Sequence, residues 1–362
     1  MLPIFTSWLP IARAVAKKQI KLNMEIKSKY YFKSMSTPIH HAGRIAIIGR
    51  PNVGKSTLIN KLLGKKISIT CRKPQTTRHQ ILGIKTLEDV QYVYVDTPGI
   101  HKNLSRRAMN QYMNRTARQA YVDESVDVIL FLIDSTFWTE EEDAIVQDFK
   151  KIFSVCPEKN SEKNSENHTE PSQKKPSIFL IINKIDTLRH HPELLPLMAS
   201  LSKKYGFAEI IPISAKQGHH LENLEGTIKK YLPEQDFLYP IDQLTDRPDE
   251  FLCAEIIREK LIRTLGDELP YDISLEINLF EEKLKEKGEG TLMEIHATIY
   301  VARSSQKAII IGKQGEKLKE VGRQARLDLK KLLNQKVFLQ LWVKVKTGWA
   351  EDARALKSLG YE

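Results

Sequence analysis

The sequence predicts a doubly wound α/β domain on a mostly parallel sheet, followed by a smaller α+β domain. Short, nearly continuous apolar runs recur between residues 44 and 214 and alternate with helical periodicity, the pattern of strands covered on both faces. A glycine-rich octapeptide, Gly49-Arg50-Pro51-Asn52-Val53-Gly54-Lys55-Ser56, separates the first run from the first helical face. Beyond a proline-bearing break at 232–240, the pattern changes to alternating strands, a second glycine pair and one long amphipathic helix. With 362 residues, 41% of them hydrophobic and 28% charged, the chain has room for two cored domains. No apolar run approaches the ~20 residues that cross a bilayer.

The chain opens on a basic segment, 1–41, that lacks clear periodicity and has its lysines after its apolar start, the reverse of a secretory signal. A disordered basic arm and a transit-like segment both fit. The preferred expectation is a start codon called too early, with Met24 or Met35 as the true start. The net charge of +11 is concentrated at the two ends. Residues 1–40 hold seven Lys/Arg against Glu25 alone, +6; residues 301–362 hold fourteen against six acids, +8; the 260 residues between them carry −3. A near-neutral body with a basic terminal segment suits contact with a polyanion. Cys71, Cys156 and Cys253 are odd in number and match no metal spacing, so free thiols in a reducing cytosol are expected.

The first strand, placed at Arg44–Ile48, delivers the chain to the octapeptide, which fits G-x-x-x-x-G-K-[ST]. Such a loop wraps phosphate oxygens with backbone N–H groups at the positive end of the next helix. Leu58, Ile59, Leu62 and Leu63 give that helix its apolar face, and Gly64 falls where a C-terminal cap belongs. Further strands are placed at Val90–Asp96, Val126–Asp134, Ser177–Asn183 and Ile210–Ser214, with a helix at Glu140–Phe153. Ligands of such sheets bind beyond the carboxyl ends of the strands, and the remaining motifs fall there. Asp96-Thr97-Pro98-Gly99 ends one strand: Asp96 can hold Mg²⁺ through water, and Gly99 lets a backbone N–H approach a γ-phosphate. Asn183-Lys184-Ile185-Asp186 ends another, where a carboxylate accepts hydrogen bonds from guanine N1–H and its 2-amino group, which adenine cannot supply. Ser214-Ala215-Lys216 follows the last, where a backbone N–H can meet guanine O6. Each motif alone is a common turn; their order at successive strand ends points to a guanine-nucleotide site.

This order resembles the translation-factor-related GTPases. Residues 49–60, GRPNVGKSTLIN, and Gln75-Thr76-Thr77-Arg78-His79 are similar to the phosphate loop and first switch of the Era family of bacterial ribosome-assembly GTPases. The resemblance implies that Ser56, Thr77 and Asp96 hold Mg²⁺, with Thr76 the neighbouring alternative to Thr77, and that Lys55, Thr77 and Asn52 act in catalysis. Ile100 stands where Ras-like proteins carry the Gln that orients water, so turnover should be slow. In similar enzymes an Asn at the position of Asn52 helps bind a K⁺, an expectation carried over here.

Residues 154–176 are rich in Asn, Ser, Glu and Lys and read as a solvated insertion without chemistry, a departure from the Era pattern. The linker is placed at 233–250 and the second domain at 251–362. There the strand-like run Met293–Arg303 leads through the apolar Lys307–Ile311 to Gly312-Lys313-Gln314-Gly315 and then to Glu316–Leu333, which has helical spacing at Leu318, Val321, Ala325, Leu329 and Leu332. Val337–Val345 and a last helix close the domain. This is the layout of a type II KH domain, whose GxxG loop clamps about four nucleotides of single-stranded RNA. Lys313 adds charge beside the phosphates, Ile310 and Ile311 are expected to line an apolar floor for bases, and Lys317, Lys319, Arg323 and Arg326 are weaker candidates. Trp342 is expected in the core.

The resemblance covers residues 42–362 apart from the insertion. It implies a P-loop GTPase domain and a KH domain in a monomer that binds GTP and GDP with Mg²⁺ and hydrolyses GTP. It further implies binding to the 3′ region of 16S rRNA during 30S assembly, a cytoplasmic location and peripheral inner-membrane contact. Relatives without a KH domain are disfavoured by Gly312–Gly315 in its setting. A vestigial nucleotide site is opposed by Lys55, Ser56, Asp96 and Asp186, and an ATPase by Asn183 and Asp186.

Overall fold

The computed structural model of the chain describes residues 39–71, 77–100, 108–135, 138–154, 175–188, 194–265, 273–284, 290–349, 351–358 and 361. The expectations on most of the 1–41 extension, on Gln75, Thr76 and Cys156, and on most of the insertion therefore lie outside the described residues. Six strands form the first sheet: β1 (His41–Gly49), β2 (Ile81–Thr86), β3 (Val90–Asp96), β4 (Val126–Asp134), β5 (Ser177–Asn183) and β6 (Glu209–Pro212). Their order is β2-β3-β1-β4-β5-β6, parallel throughout except for β2, which runs antiparallel on β3. Two apolar layers sandwich the sheet. One packs α1 (Lys55–Leu63) and α5 (Leu221–Lys229) against Ile45, Tyr94, Leu130 and Phe179; the other packs α3 (Glu140–Ser154) and α4 (Leu194–Lys204) against Ile48, Phe131 and Leu180.

Strand β2 escaped the sequence reading, since Ile81-Leu82-Gly83-Ile84-Lys85-Thr86 carries no motif and sits at the edge. The first strand is longer than expected at both ends and the last is shorter, ending at Pro212. Residues 233–250 are not a free tether. Leu244 accepts from the Ile84 N–H at 2.8 Å, Asp246 from the Leu82 N–H at 2.9 Å, and Tyr239 exchanges two hydrogen bonds with the Gln91 side chain. The segment covers the open edge of β2, which would otherwise expose unpaired backbone groups.

The second domain contains α6 (Asp249–Thr264), β7 (Ile273–Leu284), β8 (Thr291–Val301), α7 (Ser304–Ile311), α8 (Glu316–Leu333), β9 (Lys336–Val345) and α9 (Ala353–Ser358). Its sheet, β7-β8-β9, pairs β7 with β8 antiparallel and β8 with β9 parallel. Val321, Ala325 and Leu329 of α8 are buried against that sheet, with Leu318 and Leu332 partly buried beside them. Lys307–Ile311, which reads as an apolar strand, is the body of α7. The Gln306 side chain accepts the Arg303 N–H and so caps the helix start, and the three isoleucines are divided between the core and the surface. Trp342 does not take its expected place in the core. Trp342 lies on the outer face of β9, 38% exposed, whereas Trp349 is fully buried with Met109 and Met113 of α2 (Ala108–Val122).

Candidate functional site

A cavity of about 890 Å³ opens at the carboxyl ends of β1, β3 and β5. It brings together residues that the sequence disperses from Pro51 to Lys216, among them Asn52, Gly54, Lys55, Ser56, Thr77, Gly99, Asp186 and Lys216. Two glycines are required sterically. A Cβ on Gly54, whose φ is +103°, would overlap the Asn183 amide nitrogen, and one on Gly99 would lie 2.8 Å from the Pro51 ring and backbone. The loop can therefore close against its neighbours only without side chains at these points.

Lys55 folds back over its own loop, donating to the carbonyls of Gly49 at 3.0 Å and Arg50 at 2.8 Å. Burial pushes its ammonium down to about 8, against the pull of the Asp96 carboxylate. Asp96 is itself fully buried, and burial raises its carboxyl above the ordinary value while Ser68, Lys55 and Ser56 oppose that rise. Ser56 and Ser68 donate to Asp96 Oδ2 at 3.1 and 2.6 Å, and the Thr77 and Ser56 hydroxyls lie 2.9 Å apart. Asp96 Oδ1 is buried and has no hydrogen-bond partner among the described residues. An orphaned carboxylate oxygen beside two hydroxyls is a hard-oxygen set that fits a hydrated Mg²⁺.

At the other end, the Ser214 hydroxyl donates to Asp186 Oδ1 at 2.6 Å and fixes that carboxylate in the cavity wall. Asn183 lines the cavity and also braces it. Its nitrogen donates to the Val53 carbonyl at 2.8 Å and its oxygen accepts the Ala215 N–H at 2.9 Å, so it ties the phosphate loop to the segment after β6. That leaves the Ala215 N–H committed to the protein.

Several other predicted residues work from behind the site. Ile185 and Val53 are core residues, and Pro98 is buried. The buried Thr97 hydroxyl donates to the Ile47 carbonyl. Arg50 turns away to an ion pair with Glu142, whereas Lys184 lines the cavity while donating to Asp134 at 2.7 Å. Ile100 packs with the Phe131 layer, its N–H donated to the Gly49 carbonyl. Sequence reasoning missed Thr57, Ser68, Ile69, Thr70 and Arg263; Thr57 directly follows the octapeptide, but nothing in the sequence marks the others.

In the second domain the GxxG loop is a single turn joining α7 to α8. Gly312, Gln314 and Gly315 have φ of +72°, +50° and +80°, and the Gly315 N–H donates to the Gly312 carbonyl at 3.2 Å. A Cβ on Gly312 would meet the Lys317 side chain at 2.8 Å. Lys313 and Gln314 are exposed on the turn. Ile310 cannot line a floor for bases because it is fully buried in the core; Ile311 is partly buried against that core, and Ile309, 44% exposed, faces out instead.

A family model described as 50S ribosome-binding GTPase matches residues 44–184, and one described as KH domain matches 276–350. The chain is 48% identical over 319 residues to the GTPase Era of Pseudomonas fluorescens, covering 88% of this chain and 96% of that one. It is 49% identical over 322 residues to the GTPase Era of Coxiella burnetii, covering 89% and 98%. Among solved structures, Era in complex with MgGDPNP and nucleotides 1506–1542 of 16S ribosomal RNA superposes with a TM-score of 0.78 at 39% identity, covering 89% of this chain and 99% of that one. A tyrosine-to-alanine variant of Aquifex aeolicus Era bound to GDP·AlF4⁻ gives 0.77 at 39% identity, with the same coverage.

Proposed function

We propose that this chain, which belongs to the Era family of GTPases, uses GTP binding and hydrolysis to time its hold on the 3′ region of 16S rRNA during assembly of the small ribosomal subunit. The observation that supports this best is the single cavity uniting the phosphate loop, the Ser56–Thr77–Asp96 cluster and Asp186. In this reading the loop's backbone and Lys55 hold the β- and γ-phosphates, and Asp186, steadied by Ser214, accepts from the guanine N1–H and 2-amino group. Ser56, Thr77 and Asp96 would hold Mg²⁺, which would neutralise phosphate charge. Ile100 is committed to the core and cannot orient water, so placement falls to backbone, another residue or a partner, and intrinsic turnover is slow.

Asn52, exposed at the cavity with φ +64°, is the proposed K⁺ ligand; equal GTPase rates in K⁺ and Na⁺ would remove that role. RNA binds at Gly312–Gly315, with Lys313 beside its phosphates and Ile309 replacing Ile310 as the apolar contact. Crosslinking to rRNA in wild type and in Gly312→Asp tests the clamp: an unchanged footprint would exclude it. RNA affinity that is equal with GTP, GDP and no nucleotide would exclude the timing role.

The same reading makes the protein a monomer acting on the 30S particle in the cytoplasm. Peripheral contact with the inner membrane comes from the family resemblance alone. Among the described residues no helix is long and apolar enough to cross a membrane. Co-sedimentation with anionic vesicles would test the contact.

A further inference from the structure

The nucleotide cavity is not walled by the first domain alone. Arg263, in the last turn of α6, lines it beside Ile69, Thr70 and Cys71. Helix α6 belongs to the second domain, since Cys253, Ile256, Ile257 and Leu261 share one core with β7, β8, α8 and β9. The guanidinium donates to the Thr70 carbonyl at 2.8 Å and to its hydroxyl at 3.3 Å, and it pairs with Glu259 one turn earlier. All three contacts use one terminal nitrogen, Nη2. Nη1 and Nε, the rest of a fork that matches phosphate oxygens, have no partner among the described residues. Two of the other cations lining the cavity are already committed, Lys55 to loop carbonyls and Lys184 to Asp134.

We infer that Arg263 is a nucleotide-binding residue supplied by the second domain, its remaining guanidinium edge donating to a phosphate oxygen of the bound guanine nucleotide. The inference rests on the nucleotide reading of the cavity given above. It makes nucleotide affinity depend on where α6 stands, and by linkage a ligand that moves the second domain must change that affinity.

Full-length wild type, Arg263→Ala and Arg263→Lys, titrated with fluorescent GTP and GDP analogues, test the assignment. Loss of one charge-assisted hydrogen bond should weaken both nucleotides about tenfold in Arg263→Ala. Arg263→Lys should recover part of that loss, because it keeps the charge without the fork. Competition by guanosine, which has no phosphate, should be the same in wild type and Arg263→Ala. Unchanged GTP and GDP affinity in Arg263→Ala, beside a wild type that binds, overturns the assignment alone. A loss of equal size for guanosine also overturns it, because it would show that Arg263 only shapes the pocket. A wild type that binds no guanine nucleotide would remove the nucleotide reading and this inference together.

Discussion

Lys55 shows how one residue can be poised by burial against its own charge. In the free protein it gives up its proton near pH 8, whereas in the unfolded chain it keeps it to about 10.4. Between those values the unfolded state binds more protons, so this group's unfavourable contribution to stability is relieved as pH rises, while the cation needed by phosphates is lost. Nucleotide affinity of the free protein should therefore fall as pH is raised from 7 through 9, and Lys55→Gln should be weak and flat across that range; fluorescence titration at each pH measures both. Asp186→Asn should lower the preference for guanine over xanthine nucleotides by at least tenfold, since one of the two acceptor oxygens becomes an NH2 donor that opposes a guanine donor; competition binding reads the ratio. Gly54→Ala should abolish nucleotide binding while the fold persists, because the new methyl meets Asn183 at the point where the phosphate loop is tied down.

At the scale of elements, the segment 77–79 joins the two domains. Thr77 faces Ser56, while the next two residues point the other way. Arg78 donates to the Ile273 carbonyl at 2.6 Å and the Tyr361 hydroxyl at 3.1 Å, and His79 stacks on Tyr361 with Phe251 and Tyr112 edge-on. Burial pushes the His79 imidazole down to about 4; Glu255 opposes the shift, and Arg258, Arg247 and Arg78 reinforce it. Because the unfolded histidine titrates near 6.5, the unfolded chain takes up more protons between pH 6.5 and 4. His79 should then cost stability as pH falls through that window, by roughly 3 kcal/mol at most. His79→Phe keeps the ring packing and should remove that share of the slope, read as the difference between the two proteins' urea midpoints at pH 7 and pH 4.5.

On the scale of the whole molecule, the two sheets are joined by a small apolar cluster in which Trp349, Leu356 and Tyr361 pack on Met109 and Met113. Trp349 is fully buried there although it follows the last strand in a turn. Trp349→Ala should cost about 3–5 kcal/mol of cluster packing. It should split a single calorimetric transition into two, since each domain keeps its own core. A single transition at an unchanged temperature would show that this cluster does not couple the domains.

The candidate site was legible from sequence where the proposed chemistry demands particular residues in sequence-local groups. Gly54, Lys55, Ser56, Asp96, Asp186 and the GxxG turn each need one residue type at one backbone position, and each sits at the end of a readable apolar strand or beside a helix. Lys307–Ile311 misled because three successive isoleucines carry no period; only Gln306 capping Arg303 and the fit against β8 and β9 made a helix of them. Tertiary structure alone decided which motif residues face the cavity and which brace it from behind, as with Thr97 and Arg50. It also placed Ser68 on Asp96 and Arg263 in the cavity wall. These contacts join residues 28 and 193 positions apart, and no local pattern encodes them. The sequence by itself determined which residue types stand at the proposed phosphate, metal and guanine positions, because those requirements are local. The folded chain determined which domain supplies the remaining wall, because that depends on how two separately cored bodies meet.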